Sequence, residues 1–228
     1  MKFSTLETHL SIPRIHRYLQ ICTNQTRAMK LYTANLKLAR DFHPLLGVLE
    51  VILRNQVYDV IADHFSDRDW IITQASPTGF MSHRSLAKRK YVMRRQVENA
   101  IKTLRRNGVH TISGSRVLAE QTFAFWTDLF EPHHFGLVSR VPTKAFRHLP
   151  PTVGRSQVAD ILKKIRKFRN RINHNEPIVF HNNQIDLSFA TDVYDLIIDM
   201  FLWLDPDLIK FIKPIDRVQR TLSLCRKV

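Results

Sequence analysis

Glycine is scarce in this chain, with six among 228 residues, and cysteine scarcer, with only Cys22 and Cys225 near opposite ends. No Gly-rich loop able to cradle a phosphate is present. A dinucleotide fingerprint and a strand-turn-helix nucleophile elbow are missing too, which removes most common enzyme classes. Without a C-x-x-C pair there is no disulfide framework and no thiolate zinc site, and two lone thiols suit a reducing cytoplasm. No stretch approaches the roughly 18 uninterrupted apolar residues of a membrane span. The opening "MKFSTLETHLSIPRIHRYLQ" has no apolar run long enough for a secretory signal. These absences predict a soluble, cytoplasmic chain with no membrane partner.

Acidic residues are also short. Twenty Asp and Glu face thirty-five Lys and Arg, a formal charge of +15. Such an excess predicts attraction to a polyanion, nucleic acid before an anionic membrane, the bland alternative being a basic surface with no specific partner. Hydrophobic residues make up 44 % of the chain, enough for a packed core.

Alternating strand-like runs are few, and helical periodicity dominates. The pattern predicts an all-α helical bundle, one domain over 1–228 with neither repeat nor linker. Ser11 is placed to cap a first helix that carries Pro13 in its first turn and runs to about Cys22. Residues 25–42 and 44–65 read as a helix pair or as one helix bent at Pro44. Further helices are expected over 82–107, stopped by Gly108, over an aromatic segment 115–130, over 155–174 and over 188–204. Short helical pieces are expected between 133 and 149, and one or two helices after Asp205-Pro206. The stretch "VFHNNQIDLSF" after Pro177 reads as extended or looped.

The helix ending in "KKIRKFRNRINHNEPIVF" (163–180) carries the densest group of chemistry-bearing residues. On a wheel of 100° per residue, Val158, Ile161, Ile165, Phe168 and Ile172 form a stripe about 80° wide that must face a core. Arg169 lies on its flank. Asn170 and His174, four apart, share nearly the opposite face, which meets either water or a second copy of the chain across a two-fold axis.

"RNRINHNEPI" resembles the R-N-x-x-x-H signature of HEPN ribonucleases, specifically their Abi-like (abortive infection) branch. Arg169, Asn170 and His174 stand at the signature positions, and Glu176, Pro177 and Ile178 supply the usual continuation. "LLGVLEVILRNQVYDVIADHF" (45–65) resembles that branch's early helix, with Glu50, Arg54 and Asn55 as its Glu-x-x-x-Arg-Asn element. "AEQTFAFWTDLF" (119–130) resembles its aromatic helix, with Ala124 in place of the usual glycine, and "FLWLDP" (201–206) its late helix end. The likeness covers about residues 30–210; Asn175 departs from the second histidine often found after the motif.

The resemblance implies a HEPN-like helical bundle with additional helices, a homodimer, and metal-independent endoribonuclease activity in phage defence or as a toxin. An antitoxin or defence-system partner is part of the same expectation. The chemistry suits the residue types. RNA carries its own nucleophile, the 2′-OH, beside the scissile phosphate. Histidine can take or give a proton near neutral pH, and arginine grips phosphate oxygens through a planar fork. His174 is thus the expected acid–base group, Arg169 the phosphate clamp and Asn170 an orienting partner. A 2′,3′-cyclic phosphate and a 5′-OH are the expected products, and DNA should be spared.

Glu50 and Arg54 have the spacing of an ordinary i,i+4 ion pair; the alternative is that Arg54 and Asn55 line the pocket, with Glu50 holding Arg54. Over 82–107 nine Lys and Arg face only Glu98, which nominates Arg89, Lys90, Arg94 and Arg95 for the RNA backbone. Arg166 and Arg171, beside the motif, are expected as further phosphate contacts. Phe123, Trp126, Leu129 and Phe130 read as packing rather than a base-stacking platform. His133, His134 and His181 lack metal-ligand spacing, so no metal and no cofactor are expected. The alternative function is a non-catalytic RNA-binding or toxin-partner protein of the same fold.

Overall fold

A computed structural model describes residues 3–228, and helices dominate it. In chain order these are α1 (Phe3–Leu10), α2 (Ile12–Leu19), α3 (Gln25–Phe65), α4 (Trp70–Thr73), α5 (Val92–Arg106), α6 (Gly114–Ala119), α7 (Phe123–Asp128), α8 (Pro132–Phe135) and α9 (Arg155–Asn173). A two-stranded hairpin comes next, β1 (Phe180–His181) and β2 (Gln184–Ile185), and then α10 (Ser188–Leu204), α11 (Leu208–Ile212) and α12 (Val218–Cys225). The chain forms two compact units: Met1–Val48, Lys164–Leu202 and Pro206–Val228 make the first, and Leu49–Lys163 with Trp203–Asp205 the second. The boundaries at Val48–Leu49 and Lys163–Lys164 fall inside α3 and α9. No change of composition marks them, because the residues there obey helical periodicity on both sides.

Helix α3 is a single 41-residue helix that passes through Pro44. Proline removes the N–H that Arg40's carbonyl would receive. Arg40 and Pro44 are both exposed, so water can reach the orphaned carbonyl. Leu45, Leu49, Leu53, Val57 and Ile61 are fully buried, as the periodicity requires. In the first unit this face meets aromatic partners, with Phe42 packing edge-on against Phe168 at 4.6 Å. A buried carboxylate also lies on α3: Asp41 accepts from the Thr221 hydroxyl at 2.6 Å and pairs with Arg40 Nε at 2.8 Å.

Three expectations are corrected. Ser11 precedes α2 but makes no side-chain cap, and the helix ends at Leu19 rather than near Cys22. The helix expected over 82–107 starts only at Val92. Before it lie 3-10 turns at Phe80–Ser82 and Arg84–Arg89, then Lys90 and Tyr91, both left-handed with φ of 53° and 51°. Within 84–89 only Leu86 is buried, so no apolar stripe holds this stretch as a helix, and Arg84 repels Lys88 one turn away. Gly108 does stop α5, with φ 78° and the Val109 N–H returning to the Leu104 carbonyl at 3.0 Å.

The third correction concerns 115–130, which is two short helices. Gln121 causes the break. Its side-chain Nε2 donates to the Val117 carbonyl at 3.1 Å, the acceptor its own backbone N–H would use in a continuing helix. Phe123, Trp126, Leu129 and Phe130 are all buried, in agreement with packing. The second unit closes tightly at Gly114, where a Cβ would collide with the Tyr58 hydroxyl and the Arg68 carbonyl.

The segment after Pro177 is the hairpin. Phe180 pairs with Ile185 and His181 with Gln184, and Asn182 and Asn183 between them have φ of 44° and 61°. Two consecutive left-handed residues make the primed turn that matches strand twist, and asparagine tolerates it best after glycine.

Candidate functional site

Within α9, Val158, Ile165, Phe168 and Ile172 of the expected stripe are buried, while Ile161 is only half-buried and Leu162 is buried in its stead; Arg169 is half-buried and Asn170 and His174 are exposed. The wheel's flank and outer face are thus observed. His174 closes the helix: its backbone N–H donates to the Asn170 carbonyl at 3.0 Å. Asn175 then turns left-handed with φ 51° and donates to the Ile172 carbonyl at 2.9 Å, while Glu176 N–H reaches the Arg171 carbonyl at 2.8 Å. This reciprocal pair is a Schellman ending. Asn175 is the residue whose left-handed backbone ends the helix.

Arg171 secures the segment beyond the helix end. Its guanidinium donates to the Pro177 carbonyl, lies 3.6 Å from the Glu176 carboxylate and covers the Phe189 ring at 5.8 Å. The next residue, Ile178, donates its N–H to the buried Asn35 side chain at 2.7 Å. The Glu-Pro-Ile continuation is thus a clamp that holds the end of α9 and the His174 beside it. Arg171, expected as a free phosphate contact, is largely taken up by this clamp.

A helix C-terminus carries partial negative charge and by itself repels phosphate. Here the Schellman bonds occupy the carbonyls of Arg171 and Ile172. Arg14 on α2 donates to the Asn175 carbonyl at 3.0 Å, which puts another cation at this end. Arg14 and its neighbour Arg17 were missed in the sequence. Their spacing on one short amphipathic helix was the available signal, but nothing local ties that helix to residue 175.

The early element lies in the second unit. Arg54 is half-buried, and its Nε is out of water with no hydrogen-bond partner among the described residues. Asn55 is exposed and Glu50 half-buried. Of the proposed backbone track, Arg89, Lys90 and Arg95 are exposed, together with Arg84, Lys88, Lys102, Arg105 and Arg106. Arg94 differs: it pairs with Glu98 at 2.8 Å and approaches the Ser82 hydroxyl at 3.4 Å, so it serves the helix first. Arg166 is half-buried.

His134 is buried, its Nδ1–H donating to the Asp128 carbonyl at 2.9 Å, and burial lowers its pKa to about 4. Among the described residues, no group of three or more His, Cys, Asp or Glu is arranged to hold a metal ion. No helix among them is long and apolar enough to cross a membrane. A cavity of about 660 Å³ between α3 and α12 is lined by Lys30, Lys37 and Cys225 among others, with no histidine, aspartate or glutamate side chain. Comparison with protein-family models, curated proteins and solved structures finds no match to the chain.

Proposed function

We propose that the chain is a metal-independent endoribonuclease of the HEPN type, in which His174 moves the proton, Arg169 clamps the scissile phosphate and Asn170 orients one of them. The observation that carries this reading is the presentation of His174. It is a solvent-facing imidazole on a helix end locked by the Schellman bonds, the Arg171 clamp and the Asn35 anchor. A proton-transfer group needs a fixed position more than a buried one, because misplacement forfeits the advantage of proximity.

Two further features support it. Arg54 keeps an unsatisfied buried donor, an arrangement that costs about 1–3 kcal/mol and suits a group held ready for an anion. The exposed cations from Arg84 to Arg106 supply a track along which a polyanion can bind. Phage defence or toxin action, dimerisation through the outer face of α9, and an antitoxin or defence partner come from the family resemblance and belong to the same proposal.

The same exposed cations favour a second reading, a non-catalytic RNA-binding or toxin-partner protein. Labelled RNA incubated in EDTA with wild type and with His174→Ala separates the two. Cleavage by wild type alone, leaving 2′,3′-cyclic phosphate ends, is the expected result. Equal cleavage by both proteins, or activity only with added Mg²⁺, removes the proposal; salt-sensitive binding without turnover selects the second reading.

A further inference from the structure

Two small clefts in the first unit meet at Arg17. One, of about 270 Å³, is lined by Arg14, Arg17, Asn175 and Glu176 among others. The other, of about 280 Å³, is lined by Arg17, Gln20, Arg171, Phe180, His181 and the asparagine tip of the hairpin. Together they hold three guanidiniums against one carboxylate, Glu176. That carboxylate lies beside Arg171, leaving the charge of Arg14 and Arg17 uncompensated within the clefts.

Arg17 is exposed yet lies 5.8 Å from the centroid of the Phe180 ring, whose face steers the guanidinium. Arg171 Nε is out of water without a hydrogen-bond partner among the described residues. Arg17 lines both clefts, Arg14 the first and Arg171 the second, so the three guanidiniums border one connected pair of clefts. The uncompensated charges of Arg14 and Arg17 repel each other and favour an anion that joins them.

The position completes the case. Arg14 is bonded to the carbonyl of Asn175, the residue after His174, and adjacent Cα atoms lie about 3.8 Å apart. We infer that Arg14 and Arg17, beside the clamped Arg171, form a phosphate subsite that holds an RNA backbone phosphate next to the one cleaved at His174. The inference rests on the ribonuclease reading above and assigns it a second contact. The hairpin amides of Asn182 and Asn183 and the His181 ring edge supply hydrogen bonds to the sugar or base of the same nucleotide.

Arg17→Ala is the test, since the side chain is exposed and its removal leaves the clamp of Arg171 untouched. With an oligoribonucleotide, KM should rise about tenfold with little change in kcat, as expected for one lost charge-assisted contact. The ratio of kcat/KM for the oligonucleotide over a dinucleoside monophosphate, which has no second phosphate, should fall by the same factor. Binding is measured separately in a His174→Ala background. There the added Arg17→Ala change should weaken affinity for the oligoribonucleotide and reduce the salt slope by about 0.7.

Cleavage by wild type with an unaltered ratio and unaltered slope in Arg17→Ala overturns the subsite while the nuclease reading stands. Absence of cleavage with a slope that still depends on Arg17 overturns the nuclease reading and keeps the phosphate site. A thermal melt of each variant shows whether a loss reflects unfolding, and Arg17→Lys, which keeps the charge, should recover most of the salt slope if the fold is intact.

Discussion

The side-chain oxygen of Asn35 accepts the backbone N–H of Ile178 at 2.7 Å, and both residues are buried. One amide on α3 thereby fixes the chain just beyond His174, 143 positions away in sequence. Asn35→Leu leaves that N–H unpaired in an apolar setting, which costs about 1–3 kcal/mol. Urea denaturation should show the loss as a lower midpoint at unchanged slope. A midpoint equal to wild type would mean that the anchor contributes nothing.

Acid sensitivity should come in two stages. Burial lowers the His134 pKa from 6.5 to about 4, so between those values the unfolded chain binds a proton that the folded chain refuses. Its contribution is therefore complete above pH 6.5 and declines as pH falls toward 4. Asp41 behaves as a carboxylate whose burial, which alone would raise its pKa, is outweighed by hydrogen bonds from Arg40 and Thr221 and by the charges of Arg40 and Arg217. Its pKa ends below 3.8, so its stabilisation persists above that value and disappears as pH drops through the lowered one. Urea midpoints across pH should lose the first stage in His134→Gln. Thr221→Val should lose about 1–2 kcal/mol at pH 7 and show a smaller second stage.

Replacing Arg169 by lysine keeps a charge but removes the planar fork. If Arg169 clamps the phosphate, Arg169→Lys should lower kcat by about 10². Single-turnover rates check this, and a variant within about threefold of wild type would remove Arg169 from the mechanism. Asn170→Ala, at an exposed position, should slow cleavage with an unchanged melting temperature.

The cations around α5 should not act alike. Arg89→Ala and Arg95→Ala should each weaken binding to single-stranded RNA and reduce the salt slope by about 0.7. Arg94→Ala should instead cost a few tenths of a kcal/mol of stability through its lost pair with Glu98, with less effect on the slope. Titrations at several salt concentrations distinguish these outcomes, and equal slopes for all three variants would contradict the assignment.

Periodicity made part of the fold legible in the chain. The stripes of α3 and α9, the stop at Gly108 and the span Ser188–Leu204 all appear where local pattern and burial agree. The breaks at Lys90–Tyr91 and Gln121 were not legible, because each depends on how much a stretch can bury or on one side chain taking a backbone acceptor. The exposure of Asn170 and His174 could likewise be read from the wheel, while the partners of the helix end could not.

By itself the sequence determined the helical class, the excess of positive charge and the side of α9 on which its imidazole stands, since these depend on residue type and a spacing of a few positions. Only the tertiary structure decided that Asn35 anchors Ile178, that Arg171 closes on Pro177 and that Arg14 meets Asn175 across 161 positions. Those contacts join segments that no local rule relates, and they form because buried donors and acceptors must find partners wherever the fold brings them together.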